Sequence, residues 1–143
     1  MMNMKKLAGN ILRVLERAEG RAITVFGDYC LDKYLYIDPA RDEPSVETGL
    51  TVYQVNHRQV YPGAGGTVTN NLRSLGARVR CAGLVGEDGE GSELLKGLAL
   101  TGADTGLMAR SESIMTSTYI KPMRKGWVGN GSDMHDLFFL DNR

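Results

Sequence analysis

Charge of one sign is not in surplus in this chain: 17 Lys and Arg stand against 17 Asp and Glu in 143 residues. A nucleic-acid binder usually carries a basic excess, so that class is set aside. Long apolar runs are missing, which excludes a membrane-spanning helix. Met1 to Lys6 is not followed by the apolar core of a signal peptide, so the expectation is a cytoplasmic protein. Cysteine is scarce. Cys30 and Cys81 are far apart and form no C-x-x-C, so both are expected to be buried, reduced thiols. Histidine is limited to His57 and His135, neither at a metal-ligand spacing, and no metal site is expected. What remains is 42% hydrophobic and 24% charged, with a length suited to one globular domain.

Glycine, by contrast, is plentiful, and its placement is informative. Tyr61-Pro62-Gly63-Ala64-Gly65-Gly66-Thr67 runs straight into a helical pattern carried by Val68, Leu72 and Leu75. Glycines there permit a tight turn and a close ligand approach. The helix that follows directs unpaired N–H groups and a partial positive charge at that turn, which suits a hydroxyl-rich or anionic small molecule. Two further segments read with it: Gly27-Asp28-Tyr29-Cys30-Leu31-Asp32, and Gly83-Leu84-Val85-Gly86-Glu87-Asp88-Gly89-Glu90-Gly91.

The pattern along the chain predicts an amphipathic helix over 4–19 and a buried strand over 22–26. Further strands are expected at 34–37, 50–61, 79–85 and 105–109. Helices are expected from about 68 to Gly76 and around Leu94, Leu95 and Leu98, ending near Gly102. Residues 117–121 and 137–140 read as strands flanking a polar tip at 125–133. Strand, insertion, helix, strand, helix is the order of a parallel β-α-β layer with a right-handed crossover. The extra strands fit that core poorly and are read as a small sheet projecting from it. A ligand would lie between the flap and the carboxyl ends of the core strands.

These motifs resemble the N-terminal half of a ribokinase-like, PfkB-type carbohydrate kinase, and most closely its heptose-kinase branch. Gly27-Asp28-x-x-Leu31-Asp32-x-Tyr34 resembles that branch's G-D-x-x-L-D-x-Y, and Pro62-Gly63-Ala64-Gly65-Gly66 its P-G-G-A-A-N segment. Leu75-Gly76-Ala77 and Gly83-Leu84-Val85-Gly86-x-Asp88-x-x-Gly91 follow in order, and the likeness covers roughly residues 22–143. It implies an α/β fold: part of a ribokinase-like, Rossmann-type layer with a projecting β-sheet lid. The core would be 4–33 and 62–113, the lid strands about 34–61 and 114–143. It implies transfer of the γ-phosphate of ATP to a hydroxyl of a sugar or sugar phosphate, with Mg²⁺ required by the full-length enzyme. Asp28, Asp32, Gly63, Gly65, Gly66 and Thr67 would contact the substrate. Lid strands or an exposed sheet edge would mediate homo-oligomers, dimers in many relatives.

Two positions depart from the family pattern: Thr67 stands where a sugar-binding Asn is expected, and Ala64 where the second glycine of a pair is expected. The family's G-A-G-D turn, which supplies the catalytic base and an anion hole, falls in a C-terminal half that these 143 residues do not reach. Gly129-Asn130-Gly131-Ser132-Asp133 is one residue too long for that turn and precedes an alternating, strand-like run, so it reads as a hairpin tip. The chain alone is therefore expected not to turn over and to hold no ATP or Mg²⁺ tightly. The alternative is a non-catalytic remnant that binds sugar or dimerises. A dinucleotide-binding Rossmann domain is disfavoured, because the glycines do not follow the first strand and lack the G-x-G-x-x-G spacing.

Individual residues carry second readings. Asp32 could cap a turn or pair with Lys33 or Arg41. Asp28 could form an Asx-turn. Gly86-x-x-Gly89-x-Gly91 reads as a strand-to-helix turn capped by Asp88 or Ser92. Arg124 and Lys125 read as a solvated turn that could also meet a sugar phosphate. Tyr34, Tyr36, Tyr53 and Tyr61 read as lid packing. Met108, Met115 and Met123 read as core filler.

Overall fold

The computed structural model describes residues 4–125, 134–136 and 140–141, with side chains described through Arg124 except at Lys5. The N-terminal pattern forms α1, Met4–Ala18, which Gly20 closes at φ 68°. The apolar face of α1 stays open: Ile11, Val14 and Leu15 are all exposed. Then β1, Ala22–Phe26, leads through Gly27-Asp28 into β2, Tyr29–Ile37. The strand expected at 34–37 thus begins at Tyr29. Pairing of Tyr29–Asp32 with the strand at Val55–Ala64, and of Leu31 and Asp32 with the strand at Thr118–Lys125, extends the strand back to Tyr29.

Beyond a short 3₁₀ turn at Pro39–Arg41 lie the two-residue strands β3, Glu43–Pro44, and β4, Thr51–Val52, paired with each other. The long strand expected at 50–61 is therefore interrupted. Its main part, β5, Val55–Ala64, runs through Pro62 and Gly63, so those residues end a strand rather than form a free turn. Next come α2, Gly65–Ser74; β6, Arg78–Gly86; α3, Gly89–Leu100; and β7, Asp104–Ser111. The chain continues with β8, Thr118–Lys125; β9, Met134–Asp136; and β10, Leu140–Asp141. The hairpin tip and Trp127 lie outside the described residues.

Two main sheets result. One is parallel, in the order β1-β6-β7. The other runs β10-β8-β2-β5, with β9 also paired to β8. Within it β2 lies parallel to β8 and antiparallel to β5. The core fills the space between the parallel sheet and helices α2 and α3. Val79, Cys81, Val85 and Met108 from the strands meet Leu94 and Leu98 of α3, and Leu31 of β2 joins them. Met108 is core as expected, whereas Met115 is 73% exposed because it sits on the connection between β7 and β8. Cys30 and Cys81 are both buried, and neither is in a disulfide. The opposite face of the parallel sheet is open, and Phe26 on it is 86% exposed. Among the described residues, no helix is long and apolar enough to cross a membrane.

Candidate functional site

The mixed sheet has two faces of different chemistry, because side chains alternate along each strand. Lys33 of β2 and Arg58 of β5 point toward α3. Lys33 Nζ lies 2.8 Å from Glu90 and 3.5 Å from Glu93, and Arg58 lies 2.6 Å from Glu93. This ion network holds the projecting sheet to the core helix. Lys33 thus pairs with Glu90 rather than with Asp32.

The other face carries Cys30, Asp32, Tyr34 and Tyr36 from β2. The register sets Asp32 between Tyr61 of β5 and Tyr119 of β8, and Tyr34 between Gln59 and Lys121. The Asp32 carboxylate lies 3.4 Å from Lys121 Nζ. Lys121 donates to the Tyr34 hydroxyl at 3.1 Å and sits 4.7 Å from the centre of that ring. The hydrogen bond to Tyr34, with the nearby Asp32 charge, raises the Lys121 pKa against the opposing effect of burial. Tyr34 and Tyr61 meet edge to face, and Tyr36 and Tyr61 both donate to Gln59. The tyrosines pack on this sheet. Arg124 belongs to the opposite parity of β8 and pairs with Asp42 at 2.6 Å. It sits in a strand beside Tyr53, not in a solvated turn.

A cavity of about 590 Å³ opens where the parallel sheet hands over to the projecting one, lined by Asp28, Tyr29, Cys30, Ala64, Ser117 and Tyr119, among others. Asp28 faces it directly, and the Asp28 carbonyl accepts from Gly65 N at 2.9 Å. Asp32 is two residues beyond Cys30 on the same strand face. Gly63 lies against it: a Cβ there would come within 2.6 Å of the Asp32 carboxylate and 2.7 Å of Cys30 Sγ. Thr67 is exposed in the first turn of α2. Gly66 is buried, and its missing side chain leaves room for the Pro62 ring, which also fits against Gly97. The sequence pattern thus brings Asp28, Asp32 and Gly63 to one region. The lack of side chains at Gly65 and Gly66 is also used by the chain's own packing.

Tyr29 is the residue that sequence reasoning passed over. Its ring is 3% exposed and packs against Gly65 and Gly83, where an added Cβ would come within 3.0 and 2.9 Å of it. Its hydroxyl donates to Val25 O at 2.9 Å. The signal was available: glycines in two separate strand-to-helix segments with one large aromatic between β1 and Cys30. Burial pushes the Tyr29 pKa up to about 12. The folded state therefore holds this proton more tightly than the unfolded chain does. The stability it contributes is full below about pH 10 and is lost as pH rises toward 12. Ultraviolet titration of tyrosinate should show one group ionising well after the exposed tyrosines, and Tyr29→Phe should abolish that late step.

Ala64 sits at φ 48°, ψ −114°, a region glycine tolerates and an L-side chain does not. The residue that departs from the family pattern therefore occupies the strained position. Ala64→Gly should stabilise the chain by about 1 kcal/mol, read as a higher denaturant midpoint at an unchanged slope. Ala64 also gives α2 no side-chain cap. The first-turn amides are thus left as donors, apart from Gly65 N, which is held by Asp28.

Chemically, this region offers carboxylate acceptors at Asp28 and Asp32, helix amide donors, and one ammonium at Lys121. Such a set recognises hydroxyls, which both donate and accept. Among the described residues no three His, Cys, Asp or Glu are grouped closely enough to hold a metal ion between them.

A carbohydrate kinase from Agrobacterium tumefaciens superposes on 85% of this chain and 35% of its own, with a TM-score of 0.60 and 19% sequence identity. The chain has a ribokinase-like fold. A fructokinase with bound ATP from Xylella fastidiosa superposes on 87% of this chain and 33% of its own, with a TM-score of 0.53 and 21% identity. In sequence, the ribokinase-like chain is 39% identical over 80 residues to the bifunctional protein HldE of Bradyrhizobium diazoefficiens. That match covers 56% of this chain and 16% of the relative. The chain thus spans about a sixth of that relative and a third of the superposed kinases. No family model matches it. These matches bear out the resemblance to PfkB-type sugar kinases and, in sequence, to the heptose-kinase protein HldE.

Proposed function

We propose that this chain is the acceptor-binding and lid portion of an ATP-dependent sugar kinase that phosphorylates a hydroxyl of a heptose-like sugar or sugar phosphate. The observation that carries the reading is Asp32, set on the open face of β2 with Gly63 beneath it and the cavity beside it. An ionised carboxylate accepts from two sugar hydroxyls at once. Lys121 of the neighbouring strand β8 lies 3.4 Å from that carboxylate and orients it. Asp28 and the first-turn amides of α2 would fix the other side of the sugar, Gly65 and Gly66 would let it approach the backbone, and Thr67 would offer one hydroxyl contact. The mixed sheet is the lid. It is tied to α3 through Lys33 and Arg58, so its movement would strain or break those ion pairs.

The catalytic base and the nucleotide site belong, in this proposal, to the part of such an enzyme that the chain does not span. The chain alone then binds acceptor and transfers nothing. ATP supplies the phosphoryl group, and Mg²⁺ is held through the nucleotide rather than by residues described here. Self-association through the β1 edge or the open face of the mixed sheet is part of the same reading, and light scattering tests it: a monodisperse monomer removes it.

The test is an assay of the full gene product against a panel of hexoses, heptoses and their phosphates with ATP. ADP release that depends on a heptose or its phosphate supports the proposal. A full gene product that binds the sugar without ATP turnover replaces it with the non-catalytic sugar-binding reading.

A further inference from the structure

We propose that a second site, for a compact oligophosphate anion, lies at the amino ends of β1, β6 and β7, the opposite end of the parallel sheet from the sugar cavity. A cavity of about 420 Å³ opens there, lined by Arg73, Arg78, Arg80, Thr24, Gly102 and Asp104, among others. Three guanidiniums face one carboxylate among its lining residues. That local excess of positive charge stands in a chain whose formal net charge is zero.

Each guanidinium is already anchored. Arg73 Nε donates to Thr101 O at 3.0 Å and its Nη1 to Ala77 O at 2.7 Å. Arg78 Nε donates to Gly20 O at 3.0 Å. Arg80 Nε donates to Asp104 at 3.1 Å. This anchoring leaves both terminal amino groups of Arg78 and Arg80, and Nη2 of Arg73, to meet a ligand, and removes much of the ordering cost of a free arginine. Gly102 completes the arrangement. It sits at φ 79°, and a Cβ there would come within 2.8 Å of Arg73 Nη2. Arg78 and Arg80, two residues apart on β6, share a strand face. Planar forks converging on one cavity match phosphate oxygens in pairs. More than one phosphate is needed to engage three of them.

Asp104 sets the affinity. Its carboxylate accepts from Gly106 N at 2.9 Å and pairs with Arg80, and these bonds hold its pKa below the usual carboxylate range. It is therefore charged at neutral pH and competes with an incoming anion for Arg80.

The experiment titrates pyrophosphate, ADP and adenosine into the isotope-labelled chain at low ionic strength and follows backbone amides. Pyrophosphate and ADP should give saturable shifts at residues 22–24, 78–80 and 102–104, and adenosine none. The double variant Arg78→Gln/Arg80→Gln should weaken binding about tenfold or more. Asp104→Asn should tighten it a few-fold, because Arg80 is released while the side-chain carbonyl still accepts from Gly106 N. ADP binding about tenfold tighter than pyrophosphate assigns the site to a nucleotide, and equal affinity to free oligophosphate; both support it. Three results overturn it: shifts from adenosine with pyrophosphate silent, affinity unchanged in a folded double variant, or weakening by Asp104→Asn. The last decides the matter even if the double variant fails to fold.

Discussion

Asp88→Ala should destabilise the chain by about 3 kcal/mol and lower its melting temperature by about 10 °C, because it removes a helix cap and orphans buried partners together. Asp88 caps α3 by accepting from Gly91 N at 2.6 Å. It also accepts from Thr116 N at 2.8 Å and Thr116 Oγ1 at 2.7 Å. Thr116 is 1% exposed, and its hydroxyl in turn accepts from Gly86 N at 2.9 Å. Gly86 and Gly91 crowd the same point, where an added Cβ would strike Thr116 in both cases. One carboxylate thus joins the end of β6, the start of α3 and the approach to β8. Asp88→Asn keeps one acceptor and should lose less. Burial pushes the Asp88 pKa up, but the amides of Thr116 and Gly91 outweigh it and hold the group below its ordinary value of 3.8. A depressed carboxylate contributes stability that is present above the unfolded pKa and lost as pH falls through the folded one. The wild type should therefore lose this contribution below about pH 4, and the Ala variant should show a flatter acid limb. Urea melts at pH 7 and pH 3 read both effects.

Asp32→Asn should weaken acceptor binding by about 30- to 100-fold while leaving the denaturant midpoint nearly unchanged. The carboxylate is on the open face of the sheet, its side chain 26% exposed, and its bond to Lys121 is a partly exposed ion pair of about 1 kcal/mol or less. Fold stability therefore does not depend on it. A sugar does, because the amide replaces one charged acceptor with a donor that faces the hydroxyl hydrogens. Calorimetry of sugar binding beside a urea melt separates the two roles. A variant that binds as well as the wild type removes Asp32 from the site.

The parallel layer was legible in the sequence because its signals are local. Short apolar runs gave β1 and β6, helical spacing gave α2 and α3, and Gly76 and Gly102 marked their ends at positive φ. Asp88 as a cap was legible for the same reason: the side chain and its amide are three residues apart. Two features were not legible. One is that β2 begins at Tyr29 and carries Asp32 within a sheet, since Gly27-Asp28 reads as a break and the partner strands β5 and β8 lie far along the chain. The other is the Tyr29 ring between Gly65 and Gly83, a contact among three distant segments. The contact of Asp32 with Lys121 escaped notice likewise, because the β2–β8 register joins segments distant in the chain and leaves no local trace. The open apolar face of α1 was visible as a periodic stripe, and its exposure belongs to tertiary structure alone.

The most direct test of the central claim is an amide-shift titration of the chain with heptose and hexose acceptors, free and phosphorylated. The account predicts saturable shifts concentrated at Asp28, Asp32, residues 63–67, Ser117 and Tyr119, larger for the heptose series, and reached in Asp32→Asn only at about 30- to 100-fold higher acceptor concentration. Saturable binding that maps to other residues, or no binding by any of the acceptors, would contradict it.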